Sequence, residues 1–176
     1  AALTKFLFWV QSNYETKKIT ELTAQEKLLS IKKKFKKFRH ASFPTISSTG
    51  PNGAIVHYNA SKKTDRVLKR GNIYLVDSGG QYHYGTTDVT RTVSLENKSK
   101  FIKEVFTRVL KGHLNLSNFK IKKNTSGSIL DKIARKSLKS IKLDYTHGTG
   151  HGVGYFLNVH EGPQSISKFN RIKLQE

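Results

Sequence analysis

The sequence predicts an α+β fold. Its 176 residues run helices first, then short strands, then helices again, and then enter a glycine-rich segment. Strands grouped apart from helices mark that class. The size suits one compact body, since domains cluster near about 100–150 residues. The apolar share is lean at 36%, but 10 Phe and 7 Tyr spread along the chain supply enough for a core.

Leu3, Phe6, Leu7, Trp9 and Val10 predict a short amphipathic helix from Ala1 to about Asn13. Thr23-Ala24-Gln25-Glu26 has a capping-box pattern, with the hydroxyl facing the N3 amide and Glu26 reaching back. Leu28, Ile31, Phe35 and Phe38 follow at helical spacing, which puts the basic run Lys32-Lys33-Lys34-Phe35-Lys36-Lys37 on the solvent side. Pro44 and then Gly50-Pro51-Asn52-Gly53 close the helical region. Strands are expected at Ala54–Tyr58, at Asn72–Asp77 with a stop at Ser78-Gly79-Gly80, and at Val89–Val93. Helical periodicity returns at Phe101, Ile102, Val105, Phe106, Val109 and Leu110, and again at Ile129, Leu130, Ile133, Ala134 and Leu138.

Composition narrows the function classes. No run approaches the roughly 18 apolar residues of a membrane span, and no hydrophobic segment follows a basic start, so neither an anchor nor a signal peptide is expected. With no Cys, disulfides and thiolate metal sites are excluded. The formal charge of +20 raises the question of nucleic acid. Lys far outnumbers Arg, however, the lysines are scattered from Lys5 to Lys173, and no helix-turn-helix, zinc-finger or RNA-binding signature accompanies them. The charge therefore reads as a Lys-biased solvated surface. The absence of Met reads as a processed chain or a piece of something longer.

Chemistry concentrates in the glycines and histidines. Seven of 13 glycines fall at positions 79, 80, 85, 148, 150, 152 and 154, and His147, His151 and His160 lie in or just after the second cluster. No Walker, Gly-x-Gly-x-x-Gly or His-Glu-x-x-His pattern fits this segment. Asp77 ends an apolar strand, where an acid has no packing role, and Asp88 opens the next. A hairpin centred between residues 82 and 83 would set the two carboxylates opposite each other, and a bound cation would relieve their repulsion. Taken singly, Asp77 also reads as a turn residue and Asp88 as an N-cap or turn acid. Each histidine also reads as a satisfied or exposed side chain.

The blocks Gly50–Tyr58, Tyr74–Gly79, Gly85–Thr92, His147–Gly154 and Asn158–Pro163 together resemble the Xaa-Pro aminopeptidases, the aminopeptidase P branch of the creatinase and methionine-aminopeptidase superfamily. The resemblance runs from residue 1 to about 167, with the motifs in family order. It implies a pita-bread fold, two α/β halves around a curved antiparallel sheet. Residues 1–93 would form the first half and about 94–176 a partial second half. C-terminal strands and the N-terminal creatinase-like domains are expected to be missing.

The same resemblance implies two divalent metal ions, usually manganese, with Asp77, Asp88 and His151 as ligands. Two further Glu ligands are expected beyond residue 176, since neither Glu161 nor Glu176 stands in the required context. His57 and His160 would act catalytically and bind substrate, and His147 would bind substrate with them. The implied reaction removes an N-terminal residue that precedes proline, in the cytoplasm, on a peptide with proline in second position. Partners would be that peptide and a second copy or a complementing C-terminal chain. Two divalent ions carry +4 against −2 from the Asp pair, so an inactive remnant or a peptide-binding relative is the alternative expectation, with nucleic-acid binding behind it.

Overall fold

A computed structural model describes residues 1–174. The chain divides into two compact units: residues 1–97 with 153–159, and residues 98–152 with 160 onward.

The first unit opens with α1 (Ala2–Asn13) and α2 (Glu21–Lys33). β1 (Phe38–His40), β2 (Ile46–Thr49), a 3-10 turn (Gly50–Ala54), β3 (Ile73–Tyr82) and β4 (Gly85–Ser94) follow. β3 is the spine of an antiparallel sheet. β4 pairs along its whole length, while β2 and β1 share its other edge in succession. Strand side chains alternate in direction; Tyr74, Val76 and Ser78 share one face of β3 and are buried, as are Gly79, Gly80 and Gln81 further along. Tyr74 and Val76 pack on Phe6 and Val10 of α1 and Ala24 and Leu28 of α2, with Ile19, Leu68 and Leu95 completing the core. Asp77 and Gly79 therefore project from the sheet face turned away from that core.

In the second unit α3 (Lys100–Ser117) packs on α4 (Gly127–Lys139), and α4 packs on β6 (His160–Ile166), which pairs with β5 (Gly150–Val153). Ser99 caps α3 by accepting from the Ile102 amide. Leu130 and Leu138 of α4 are buried. Phe101, Phe106, Val109, Leu110 and Leu114 of α3 are each at least 44% exposed. Among the described residues, no helix is long and apolar enough to cross a membrane.

Several sequence expectations are corrected. α2 starts at Thr20, not Thr23: the Thr20 hydroxyl accepts from the Thr23 amide, and the Thr23 hydroxyl accepts from the Thr20 amide. The helix ends at Lys33, so Phe35 falls in a turn and Phe38 opens β1. Ala54–Tyr58 is no strand, because Gly50-Pro51-Asn52-Gly53 winds into the 3-10 turn. β3 does not stop at Ser78-Gly79-Gly80 but runs through it. Gly79 is required for that passage: a Cβ there would lie 1.9 Å from the Thr87 carbonyl oxygen and 2.1 Å from Ser42 Oγ.

Candidate functional site

The Asp pair is set by the register of one hairpin. The turn is His83-Tyr84, so Tyr82 pairs with Gly85, Asp77 faces Thr90, and Asp88 faces Gly79. The expected centre between 82 and 83 is thus wrong by one residue. The acids are not directly opposite but diagonal on one face, with Cα atoms about 7–8 Å apart in that relation. The diagonal lowers their mutual repulsion relative to a directly opposed pair.

Beneath this strand lies a cation that the sequence places in solvent. Lys32 is buried. Its ammonium donates to Ser78 Oγ and, at 2.6 Å, to the Gly79 carbonyl. Burial pushes its pKa down to about 8, and the Asp77 carboxylate partly offsets that fall. The helical period explains the position, since Lys32 follows buried Leu28 by four residues.

His57 is exposed and takes a left-handed backbone, with φ of 56°. Its neighbour Tyr58 is buried and donates to Glu21 Oε2 at 2.8 Å. Glu21 is itself fully buried. It also accepts from the Thr49 amide at 2.7 Å, Asn52 Nδ2 at 2.9 Å and the Arg66 amide at 3.2 Å. This carboxylate thus ties down the whole Gly50–Tyr58 loop. Sequence reasoning missed it, because an acid in the first turn of a helix reads as a simple dipole partner.

Residues 153–159 belong to the first unit. Tyr155 donates to the His83 carbonyl at 2.6 Å, and the Phe156 amide donates to Thr86 Oγ1 at 3.1 Å, so the segment docks on the β3–β4 turn.

In the second unit His151 on β5 and His160 on β6 stand ring edge to face, with centroids 4.0 Å apart. β5 and β6 come close because Gly152 has no side chain: a Cβ would sit 2.3 Å from the Glu161 carbonyl oxygen. His151 Nδ1 lies 2.7 Å from the Gly152 carbonyl oxygen. A carbonyl only accepts, so Nδ1 is the donor in this contact. His147 is exposed on the loop before β5. Glu161 is exposed on β6, and Glu176 lies outside the described residues.

A second missed residue shapes that loop. Arg135 of α4 is buried, and its Nε donates to Asp131 Oδ2 at 2.8 Å. Its Nη1 donates to Asp144 Oδ1 at 2.7 Å, and its Nη2 to the His147 carbonyl at 2.7 Å. Burial works against the guanidinium charge, but bonds from Asp144 and Asp131 outweigh it and raise the pKa. Asp144 is held at about 2, chiefly by the hydrogen bond from Arg135. The sequence signal was faint: Asp131 and Arg135 stand four apart, the spacing of an ordinary surface ion pair.

A family model for metallopeptidase family M24 matches residues 1–176. The chain belongs to that family. A probable Xaa-Pro aminopeptidase P of Phaeosphaeria nodorum is 49% identical over 168 residues, covering 94% of this chain and 26% of that protein. Aminopeptidase P1 of Lotus japonicus is 51% identical over 150 residues, covering 85% of this chain and 23% of that protein. The chain thus spans about a quarter of the length of the curated relatives it matches. Among solved structures, the X-prolyl aminopeptidase of Caenorhabditis elegans, described as cytosolic with a di-nuclear active site, superposes with a TM-score of 0.88 at 42% identity. That match covers 94% of this chain and 27% of the other. The X-Pro aminopeptidase of Thermotoga maritima follows at 0.83 and 29%, covering 99% of this chain and 48% of the other. The fold of this M24 chain is the pita-bread fold.

Among the described residues, no three His, Asp or Glu side chains of either unit form a group that could hold an ion. The donor set drawn from the family motifs takes its two carboxylates from one unit and its imidazole from the other. Those donor types suit a divalent cation, with hard oxygens for Mg, Ca or Mn and an imidazole that Zn, Fe or Ni also accepts. The shared sheet face of the Asp pair fits that use.

Proposed function

We propose that this chain carries part of the catalytic centre of a metal-dependent aminopeptidase that removes an N-terminal residue preceding proline. The supporting observation is the Asp77–Asp88 pair, two acids on one face of the β3–β4 hairpin with the hydrophobic core on the other face. Asp77, Asp88 and His151 would hold two divalent ions, manganese being the one that the family resemblance implies and that an oxygen-rich set accepts. When bound, such ions act as Lewis acids and lower the pKa of water.

The remaining roles fall to the histidines. His57 and His160 would donate hydrogen bonds to the peptide carbonyl and to the charge that develops on it. His147 would help seat the peptide. The substrate is a peptide with proline in second position. A soluble, cytoplasmic setting and a homodimer or complementing chain complete the reading.

Two measurements test it. Manganese titration by calorimetry on this chain should show binding that Asp88→Asn weakens at least tenfold, or about 1.4 kcal/mol. Fusion to the C-terminal segment of the Phaeosphaeria relative should yield cleavage of Xaa-Pro peptides, abolished by the same substitution. A folded, metal-loaded fusion that leaves Xaa-Pro peptides intact would sink the reading.

A further inference from the structure

We propose that Arg135 and Tyr145 are positioning residues that fix the His147 imidazole before any ligand arrives. The inference rests on the reading of His147 as part of the substrate site.

The geometry is a closed ring of contacts around one irregular loop. Arg135 and Asp131 have side chains only 3% and 2% exposed. The guanidinium spends its remaining donors on the loop: Nη1 on Asp144 Oδ1 at 2.7 Å and the Tyr145 carbonyl at 2.5 Å, Nη2 on the His147 carbonyl at 2.7 Å. The guanidinium carbon lies 3.8 Å from the centre of the Tyr145 ring. That ring stacks in turn on the His147 imidazole, with centroids 4.7 Å apart and planes at 27°. The Tyr145 hydroxyl meets Thr149 Oγ1 at 2.5 Å, and Thr149 donates to Asp131 Oδ1 at 2.7 Å, which returns to the start.

A stability role alone does not account for this ring. Buried ion pairs are weak stabilisers, and apolar replacements of the whole set are often neutral or better. What a planar fork does well is select one arrangement of the groups it bridges. Here those groups are two backbone carbonyls of the His147 loop and the aromatic ring that supports its imidazole. His147 Nδ1 lies 2.7 Å from the Gly148 carbonyl oxygen, a further contact that holds the ring of this exposed residue. An exposed side chain on a loop without helix or strand would otherwise have to be ordered at each binding event.

The test uses NMR of the 176-residue chain with labelled histidine, and titration with an Xaa-Pro peptide. In the parent, stacking on Tyr145 should shift the His147 ring protons upfield. Tyr145→Phe keeps the ring and should keep that shift. Tyr145→Leu and Arg135→Lys should abolish it, the first with little loss of thermal stability because Tyr145 is only half-buried. An unchanged His147 signal in Tyr145→Leu, or in folded Arg135→Lys, overturns the proposal. Where the parent binds the peptide, the shift-losing variants should bind about tenfold more weakly and Tyr145→Phe as the parent does. Equal affinity in all four proteins would also overturn it. A parent that shows the ring shift but binds no peptide supports the positioning and counts against the substrate reading instead.

Discussion

Glu21 in the first unit and Arg135 in the second are buried charges that each tie down a histidine-bearing loop, but they are satisfied in different ways. Glu21 in the first unit sits at the start of α2 and is met, among the described residues, by backbone amides, Asn52 and Tyr58. No ion pair involving it occurs among the described residues. The helix N-terminus carries a partial positive charge, so a carboxylate there needs dipoles rather than a cation. Arg135 in the second unit lies inside α4, where no helix end assists it, and it takes two carboxylates, Asp131 and Asp144. The lesson is that position along a helix decides whether a buried charge needs an opposite charge beside it, and this sets how each loop can fail.

A large effect should come from removing the Glu21 charge. Glu21→Gln preserves shape but turns an NH2 group toward donors. At least one donor, the Thr49 amide or the group at Oε2, would then be left buried without an acceptor, at about 1–3 kcal/mol. A loss on the order of 2–3 kcal/mol is expected by urea unfolding. Tyr58→Phe, which deletes one donor and leaves the amides in place, should cost about 1 kcal/mol. A Glu21→Gln variant within about 0.5 kcal/mol of the parent would show that the hub is not held by charge.

Arg135→Met should cost about 3–5 kcal/mol by leaving Asp131 buried and unpaired. Here the units should diverge. Adding Asp131→Leu removes the stranded charge and should return at least half of that loss, because the buried charged partner is itself a side chain. No second substitution can do the same for Glu21, since two of its donors are backbone amides that cannot be mutated away. A double variant as unstable as Arg135→Met alone would erase the proposed difference between the units.

How far the sequence could be read follows the same division. The helices at both ends, the α+β class and the acids at 77 and 88 were legible, because apolar periodicity and motif spacing report on them directly. The buried face of α2 was not. It consists of Glu21, Ala24, Leu28 and Lys32, half of it charged, so a search for apolar spacing settled instead on Leu28, Ile31, Phe35 and Phe38. The register of the β3–β4 hairpin was missed because Ser78-Gly79-Gly80 looks like a strand end. Only the nearness of Thr87 and Ser42 shows why a glycine belongs inside the strand. His57 was read within a strand, whereas its left-handed backbone depends on Tyr58 and Glu21, the latter 36 residues upstream.

The smallest effect is a pH dependence confined to the second unit. Asp144 has a folded-state pKa of about 2 against an ordinary 3.8, lowered first by the hydrogen bond from Arg135 and further by the Tyr145 amide. A depressed carboxylate pKa means that the unfolded chain takes up its proton first as pH falls. The stabilisation is therefore complete above about pH 4, declines through the window from 3.8 to about 2, and is gone below it. The side chain is 33% exposed, so solvent screening holds the contribution to about 1 kcal/mol. Other carboxylates titrate nearby, and the informative quantity is the difference between the parent and Asp144→Asn. Thermal unfolding followed from pH 6 to pH 2 should show the variant less stable at the upper end, with the gap closing as pH falls through the window. A gap that stays constant down to pH 2 would mean that Arg135 holds the Asp144 side chain by shape rather than by charge.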